Sequence, residues 1–306
     1  MIDRIDRLIL NHIFDDASIS NLKLAKSIGL HAATVTKRID AMLENEMISI
    51  KAVQDLQRYK VKAFITLNVD LMSIDKLKAK LIESPNVRLA VATFGRFDIL
   101  TLVHFLNWEK FNSFMQDELS QWPGVIRSNI FLVAESKQVQ ADLFHTQSND
   151  ISPTIPDDID NRIIAELCKN GLISNKDLAS KLGVNPATVS RRVSSLLKSK
   201  IIKIVAIPNP PKFGYSANAF IMIGTNRTQV DEIFNELNKY PEIHVSMALT
   251  NGYNIISSVR FMNPELLYGF IKEKISRIRG ISTIETLVVA EFIKTAFARV
   301  DLDNLP

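Results

Sequence analysis

The chain has 306 residues, of which 46% are hydrophobic and 23% are charged, and this balance is typical of a folded globular protein. Its single cysteine, Cys168, excludes an internal disulfide, and its net charge of +4 permits nucleic acid as a partner. No apolar run approaches the ~20 residues that cross a bilayer, and no apolar signal segment opens the chain, so we expect a cytoplasmic protein without a membrane partner.

One segment of the sequence occurs twice. Residues 6–50 align with residues 160–204 without a gap, at a constant offset of 154 positions. The aligned residues that are identical include, in the first segment, Ala25, Gly29, Ala33, Thr34, Val35, Arg38, Leu43 and Ile48. A gap-free match of about 45 residues marks a duplicated unit, and we refer to its two occurrences as copy one and copy two.

Each copy predicts three helices followed by a strand. In copy one, apolar residues at helical spacing predict helices over residues 5–13, 22–27 and 32–45. Gly29 ends the second helix, because glycine tolerates the left-handed conformation needed there. The short turn that follows predicts a helix-turn-helix in each copy. Strand-like runs follow at residues 47–53 and 201–207, and we interpret them as wing-like strands.

The third helix of each copy presents hydroxyl and basic groups on its first turns, and such groups suit base edges and phosphates in a major groove. We therefore predict double-stranded DNA as a partner. The predicted contacts are His31, Thr34, Thr36, Lys37 and Arg38 in copy one and Asn185, Thr188, Ser190, Arg191 and Arg192 in copy two. His31 also stands where a helix cap would stand. A solvated face on an ordinary three-helix domain is the alternative for the whole surface.

The two copies share this pattern but not their charge. Residues 1–50 contain six Lys or Arg and seven Asp or Glu, so their net charge is −1. Residues 158–204 contain nine and four, so their net charge is +5. Because neutralised phosphates release counterions, local positive charge sets the nonspecific part of DNA affinity. We therefore predict that copy two dominates DNA binding and that the operator is an imperfect palindrome.

The second half of each copy predicts a ferredoxin-like domain, with the order strand-helix-strand-strand-helix-strand. In copy one, these elements are predicted over residues 63–69, 74–82, 87–94, 97–105, 108–119 and 125–135. Copy two repeats them at an offset of 156 positions, so two residues are inserted between the halves, around residues 208–211. The polar segment 145–156 contains prolines and has no periodicity, which is typical of a linker.

The predicted fold class is therefore α+β, with two winged helix-turn-helix domains alternating with two ferredoxin-like (βαββαβ) domains. The predicted domains cover residues 1–52, 60–138, 158–206 and 215–295, with a linker over residues 139–157. Apolar residues alternate on the strands, so each ferredoxin-like sheet has a second face to cover. We expect the two sheets to pair with each other, as an intramolecular pseudo-dimer, or with those of a second chain, as a homo-oligomer.

The order of these features resembles the leucine-responsive/asparagine regulator (Lrp/AsnC) family. The resemblance rests on a helix-turn-helix ending in TV(T/S)(K/R)R and a ferredoxin-like domain with a G-x-(F/Y)-D turn, and it covers nearly the whole chain, twice. It implies a sequence-specific transcription regulator that is not an enzyme, needs no cofactor and binds an amino acid or related metabolite. The chain departs from the family at Glu46 and Lys200, where a glycine often follows the recognition helix.

The family's ligand loop includes the G-x-(F/Y)-D turn, so the resemblance implies an effector site there. The predicted effector residues are Thr93, Gly95, Arg96, Phe97 and Asp98. The backbone N–H groups of the turn suit a carboxylate, and Asp98 suits an amino group. In copy two, asparagine at position 254 replaces the aspartate, so we predict one effector site per chain, in copy one. A plain hairpin turn is the alternative.

Two other functions stay open at this point. Some proteins of the same two-domain build resemble decarboxylases that act on sirohaem, and such a site needs histidines and arginines around a tetrapyrrole. The candidates are Arg88, Arg96, His104, His244 and Arg260, without a concentrated cluster. The other alternative is a sensor or assembly protein with vestigial DNA readers. No common enzyme motif or metal-ligand spacing occurs, so we predict neither catalytic nor metal-binding residues.

Overall fold

The computed structural model describes residues 2–54, 58–135, 156–295 and 302. The chain forms two compact units, and each unit combines the same half of both copies. The reader unit contains the described residues up to 54, residues 156–214 and Leu302, and the barrel unit contains residues 58–135 and 215–295. Most of the predicted linker, residues 139–155, lies outside the described residues. Within the described ranges, no helix has both the length and the apolar character needed to cross a membrane.

The elements of copy one follow the predicted order. The helix-turn-helix half contains α1 (Arg4–Ile13), α2 (Asn21–Ile28), α3 (Ala32–Glu44) and β1 (Ile48–Gln54). The ferredoxin-like half contains β2 (Val61–Val69), α4 (Ile74–Glu83), β3 (Val87–Phe94), β4 (Ile99–Phe105), α5 (Trp108–Ser113) and β5 (Val125–Glu135). The helix predicted over residues 108–119 is regular only to Ser113, because a π-helical turn over Phe114–Glu118 follows it.

Copy two repeats this order. Its helix-turn-helix half contains α6 (Asp158–Lys169), α7 (Asn175–Leu182), α8 (Pro186–Lys198) and β6 (Ile202–Pro208). Its ferredoxin-like half contains β7 (Ala217–Thr225), α9 (Val230–Leu237), β8 (Ile243–Leu249), β9 (Ile255–Phe261), α10 (Pro264–Glu273) and β10 (Ile281–Thr295). The predicted α+β fold, with two helix-turn-helix and two ferredoxin-like segments, is confirmed.

Local sequence explains the helix boundaries in the reader unit. A capping box of two aspartates starts α1 and α6: the N-cap carboxylate accepts a backbone N–H of the first turn, and the second carboxylate accepts the N–H of the N-cap residue. Gly29 and Gly183 end α2 and α7 with φ values of 71° and 68°, in the left-handed region that glycine adopts at little cost. The chain then enters α3 or α8 at a steep angle, as the helix-turn-helix requires.

The two wing-like strands pair with each other. β1 and β6 are antiparallel, from Ile48 opposite Pro208 to Gln54 opposite Ile202, and Lys51 lies opposite Val205 at the centre. Because position 205 is also the aligned partner of position 51, an approximate two-fold axis passes through this pair. The Ala17 N–H donates to Ile204 O at 2.8 Å and the aligned Gly171 N–H donates to Ile50 O at 2.8 Å. Each helix-turn-helix is therefore fixed to the strand of the other copy.

In the barrel unit the two ferredoxin-like sheets join edge to edge. Eight strands close a barrel in the order β10-β3-β4-β2-β5-β8-β9-β7. The last strand of each ferredoxin-like half pairs with the second strand of the other half, β10 with β3 and β5 with β8. Helices cover one face of each sheet. Alternate residues such as Phe64 and Phe220 are also buried and point to the opposite face, inside the barrel. Of the two pairings expected from the sequence, the sheets therefore pair within one chain.

Candidate DNA-reading and effector sites

The recognition helices α3 and α8 carry the residues predicted to contact DNA. Lys37 and Arg191 occupy aligned positions, and both side chains are exposed. Asn185 caps α8 by accepting a hydrogen bond from Ala187 N at 2.8 Å, whereas the His31 side chain makes no cap hydrogen bond and is exposed. The exposed imidazole of His31 is thus available to a partner at the entrance of α3.

The hydroxyl residues differ in their surroundings. Ser190 is exposed on α8, whereas Thr34 and Thr188 are half-buried. Thr36, the aligned partner of Ser190, accepts a hydrogen bond from Asn21 Nδ2 at 2.9 Å. In copy one this hydroxyl therefore links α3 to α2, whereas in copy two the aligned Ser190 hydroxyl is exposed to solvent.

Arg38 and Arg192 make the same contact in both copies, and this contact lies inside the domain. Arg38 Nη1 is 2.6 Å from Asp3 Oδ2 and 3.1 Å from Asp6 Oδ1. Arg192 Nη1 repeats this pattern, at 2.7 Å from Asp157 Oδ2 and 2.9 Å from Asp160 Oδ1. Each arginine thereby ties its recognition helix to the capping box of the first helix. The prediction that these arginines contact DNA stays a prediction, and in the structure both guanidiniums have carboxylate partners within their own domain.

This arrangement favours the charged form of the two N-cap aspartates, Asp3 and Asp157. A backbone hydrogen bond from Asp6 and the contact with Arg38 lower the pKa of Asp3 below its usual value. A backbone hydrogen bond from Asp160 and the contact with Arg192 lower the pKa of Asp157 in the same way. The carboxylates thus serve two helices at once, as N-caps of the first and as ion-pair partners of the third.

The electrostatic difference between the readers lies at the end of the recognition helix. Lys198 and Lys200 in copy two stand where copy one has Glu44 and Glu46, and all four side chains are exposed. Neither lysine forms an ion pair with another residue of the described part of the chain. By contrast, Lys169 and Lys181 bind Glu166, at 2.7 Å and 3.1 Å. The positive surface of copy two is therefore centred on α8 and the residues after it.

The predicted effector turn of copy one is built by its own hydrogen bonds. Thr93 Oγ1 donates to Phe97 O at 2.7 Å, and the Thr93 N–H donates to Asp98 O at 2.9 Å. Asp98 Oδ2 accepts the N–H of Val69 at 2.9 Å. Thr93 and Phe97 are buried, so Gly95 and Arg96 are the predicted residues that reach solvent. Thr93, Phe97 and one Asp98 oxygen thus shape the turn from within.

Asn254 performs the same task in copy two. Its Oδ1 accepts the N–H of Thr225 at 2.8 Å, which matches the bond between Asp98 and Val69. An amide oxygen and a carboxylate oxygen are both acceptors, so the turn forms with either residue. The exchange of aspartate for asparagine therefore preserves the local structure, and the difference between the two turns lies at other positions.

Asn251 closes the turn of copy two against the neighbouring strand. Its Nδ2 donates to Ile130 O at 2.7 Å, and its Oδ1 accepts the N–H of Leu132 at 3.3 Å, both on β5 of copy one. The ring of Tyr253 lies 6.0 Å from that of Phe131 on the same strand. The aligned residue in copy one is Gly95, which has no side chain to make such a bridge. The turn of copy two is thus sealed by contacts that copy one lacks.

A cleft lies beside the open turn of copy one. Its volume is about 320 Å³, and it is lined by Asn68, Arg96, Phe97, Ile126, Arg127 and Asn129. Asn68 Nδ2 donates to Arg96 O at 2.9 Å and fixes the turn at the edge of the cleft. Sequence reasoning found Arg96 and Phe97 but missed Arg127. The sequence did contain a signal for Arg127, because the aligned residue in copy two is the uncharged Thr283. The helix-turn-helix domains also differ in charge at aligned positions.

Four of the five residues considered for a tetrapyrrole site form two separate histidine–arginine pairs, and Arg96 belongs to neither pair. Arg88 lies close enough to His104 to lower its pKa, and Arg260 does the same to His244. Burial is the main cause in both cases, and the pKa of His244 falls to about 3. At the offset of 156, the histidine of one copy aligns with the arginine of the other. Among the described residues, no three His, Cys, Asp or Glu side chains group as metal ligands.

Comparison with known proteins identifies the class. Residues 2–43 match the AsnC-type helix-turn-helix domain, and residues 156–203 match a winged helix-turn-helix DNA-binding domain. Residues 62–140 and 218–298 match the Lrp/AsnC ligand binding domain. Two DNA readers and two ligand-binding domains in one chain define a DNA-binding transcription regulator. The chain belongs to the Lrp/AsnC family, in a tandem duplicated form.

Individual relatives match about half of the chain. The HTH-type transcriptional regulator PH0140 of Pyrococcus horikoshii is 34% identical over 145 residues, which cover 47% of this chain and 92% of that protein. The regulator FL11 of Pyrococcus furiosus is 32% identical over 141 residues, covering 46% and 93%. The solved structure of the siroheme decarboxylase NirDL has a TM-score of 0.59 at 15% identity and covers 94% of this chain and 91% of that one. This last likeness shows a shared fold.

Proposed function

We propose that this regulator reads DNA mainly through copy two and senses a small metabolite through copy one. The observation that supports the first part is the exchange of Glu44 and Glu46 for Lys198 and Lys200 on otherwise matching domains. A lysine near a phosphate releases a counterion on binding, whereas a glutamate at the same place repels the phosphate. We infer that α8 dominates affinity and that α3 contributes mainly to the choice of site.

Within each reader, we assign the contacts from the exposed side chains. Arg191 and Ser190 in copy two and Lys37 in copy one are the main candidates for base or phosphate contacts. Asn185, Thr188, His31, Thr34 and Thr36 surround them and are candidates for backbone positioning. Arg38 and Arg192 hold the recognition helices in place through their contacts with Asp3 and Asp157.

The sensing part rests on the difference between the two turns. Copy one has an open turn beside a cleft, whereas Asn251 and Tyr253 close the turn of copy two. The matched domain is a ligand-binding domain in its family, so we propose that an amino acid or related metabolite binds at the copy-one turn. Binding would change DNA affinity only if the ligand favoured one arrangement of the protein over another.

The proposal is tested by selecting bound DNA from a random pool with the full chain, with and without a library of small metabolites. We expect an imperfect palindrome. The Lys198→Glu/Lys200→Glu variant should lose most DNA affinity at 0.1 M salt, and the matched Glu44→Lys/Glu46→Lys variant should gain affinity. If no DNA sequence were enriched, the proposal of sequence-specific recognition would be wrong. If the two charge-reversal variants lost the same DNA affinity, the proposed asymmetry between the copies would be wrong.

The enzymatic alternative is kept separate by a simple measurement. The siroheme decarboxylase likeness is a likeness of fold, and we propose that this chain is not an enzyme. Mixing the purified protein with sirohaem should leave the absorption spectrum of the pigment unchanged. A shifted spectrum followed by loss of carboxyl groups would overturn this part of the proposal.

A further inference from the structure

The cleft beside the copy-one turn is positively charged. Arg96 and Arg127 both line it and both are exposed, and neither forms an ion pair with a residue in the described ranges. Within the described ranges, no aspartate or glutamate lines the cleft. The nearest carboxylate of the turn, Asp98, has one oxygen bonded to the N–H of Val69. Two guanidiniums that face a common space without an acid favour an anionic occupant.

The fold does not require these cations. In copy two the residues aligned with Arg96 and Arg127 are Gly252 and Thr283, and the same type of turn forms without them. Glu285 replaces Asn129, so the charge of the region is reversed. Its carboxylate lies 3.5 Å from the hydroxyl of Tyr253. Since copy two folds without the arginines, their presence in copy one points to a ligand rather than to stability.

The cleft also holds its polar groups in defined places. Asn68 lies opposite Arg127 in the register of β2 and β5, and its side chain is fixed by its bond to Arg96 O. The Arg96 guanidinium lies 5.5 Å from the centre of the Phe97 ring, a cation–π contact that limits its motion. The exposed side chain of Ile126 supplies an apolar wall. A volume of about 320 Å³ is at the small end of ligand sites.

We propose that this cleft binds a small dicarboxylate, with one carboxylate on Arg96, the other on Arg127 and the carbon chain against Ile126. The inference rests on the proposed effector site in copy one and gives its ligand class. A neutral amino acid has one carboxylate and would leave the second guanidinium unmatched. A dicarboxylate matches both guanidiniums that line the cleft, one with each carboxylate.

Calorimetry on the full chain tests the ligand class at constant ionic strength. The probes are succinate, 2-oxoglutarate and L-glutamate, compared with L-leucine, L-methionine and inorganic phosphate. We expect at least one dicarboxylate to bind more tightly than every neutral amino acid and than phosphate. Arg96→Gln and Arg127→Gln should each weaken its binding at least tenfold, whereas Arg279→Gln, an exposed arginine of copy two, should leave it unchanged.

The outcomes separate this inference from the function on which it rests. Binding of a neutral amino acid that is insensitive to Arg96→Gln and Arg127→Gln would overturn the dicarboxylate and retain an effector site. Binding of phosphate as tightly as any dicarboxylate would reduce the cleft to a general anion site and also overturn the inference. Absence of binding by every probe, with DNA binding intact, would overturn the ligand while the regulator stands. Loss of specific DNA binding in the wild type would instead remove the proposed function.

Discussion

Arg38 in copy one and Arg192 in copy two make one and the same contact, with the capping aspartates of the first helix of their domain. Glu44 and Lys198 also occupy aligned positions, but they have opposite charges and both face solvent. The first pair is identical because both domains need the contact to hold the recognition helix. Folding does not constrain the charge of Glu44 or Lys198. We therefore attribute their opposite charges to a difference in the binding partner that each copy contacts. Within this chain, identity between copies indicates structure and difference indicates function.

The largest expected effect is on the pH dependence of stability, and it arises from the two histidine–arginine pairs of the barrel, in which the two residue types exchange aligned positions between the copies. Burial and the positive charges of Arg88, Lys294 and Lys62 hold the pKa of His104 well below its usual value, and burial with Arg260 lowers that of His244 to about 3. Both histidines are therefore neutral in the folded protein but bind protons below about pH 6.5 when it unfolds. The full free energy of unfolding is therefore reached above about pH 6.5. Below that pH it falls by about 1.4 kcal/mol per pH unit for each histidine, until the pH reaches the pKa of that histidine in the folded protein.

Urea unfolding between pH 7 and pH 5 measures this loss, in a range where most carboxylates stay charged. His104→Gln and His244→Gln should each remove about half of the pH dependence, because the two copies contribute in parallel. His31→Gln provides the control, since that side chain is exposed. A stability that is constant from pH 7 to pH 5 would contradict the assignment of two neutral buried histidines.

A smaller effect is expected where each recognition helix ends. Glu46 and Lys200 have φ values of 54° and 55°, in the left-handed region that costs a non-glycine residue about 1 kcal/mol. Glu46→Gly and Lys200→Gly should each raise the free energy of unfolding by roughly 0.5–1 kcal/mol, after the greater flexibility of unfolded glycine is subtracted. Chemical denaturation checks the gain. Only Lys200→Gly should also weaken DNA binding, and a weaker binding by Glu46→Gly would argue against the unequal readers.

The smallest effect is expected at the aspartate of the copy-one turn. Asp98→Asn should change the free energy of unfolding by less than about 0.5 kcal/mol, because Asn254 makes the equivalent bond in copy two. Asp98→Ala should cost about 1–2 kcal/mol, since the N–H of Val69 then loses its acceptor. Denaturation curves of the two variants and of Asn254→Ala provide the comparison. A large loss in Asp98→Asn would show that the charge itself holds the turn.

Much of the fold followed from local patterns in the sequence. Apolar residues at helical spacing, the helix-ending Gly29 and alternating apolar strands predicted the elements and their order, and the alternation predicted that each sheet would pair with another. The closure of the barrel and the pairing of β1 with β6 were not predicted, because both depend on contacts between distant segments. Local patterns specify which residues form a strand but not which strand becomes its neighbour.

The candidate sites were predicted less completely, for a related reason. Arg38 has the residue type and helix position of a DNA contact, yet its partner Asp3 lies 35 residues away in the sequence. The sequence predicted Arg38 and Arg192 as DNA contacts, whereas the structure pairs each guanidinium with a carboxylate of its own domain. Arg127 was missed because it follows no motif and enters the cleft only through the register of β5 with β2.

The central claim, that residues differing between the copies carry the function, is tested most directly by the salt dependence of operator binding. The pair to compare is Arg191→Ala in copy two and Lys37→Ala in copy one, with Arg38→Gln and Arg192→Gln as structural controls. Arg191→Ala should lower affinity at 0.1 M salt and reduce the slope of log affinity against log salt by about one, with a smaller change for Lys37→Ala. The controls should lower the thermal midpoint of the protein without changing the slope. Equal slope changes for Arg191→Ala and Lys37→Ala, or a larger one for Arg192→Gln, would contradict the account.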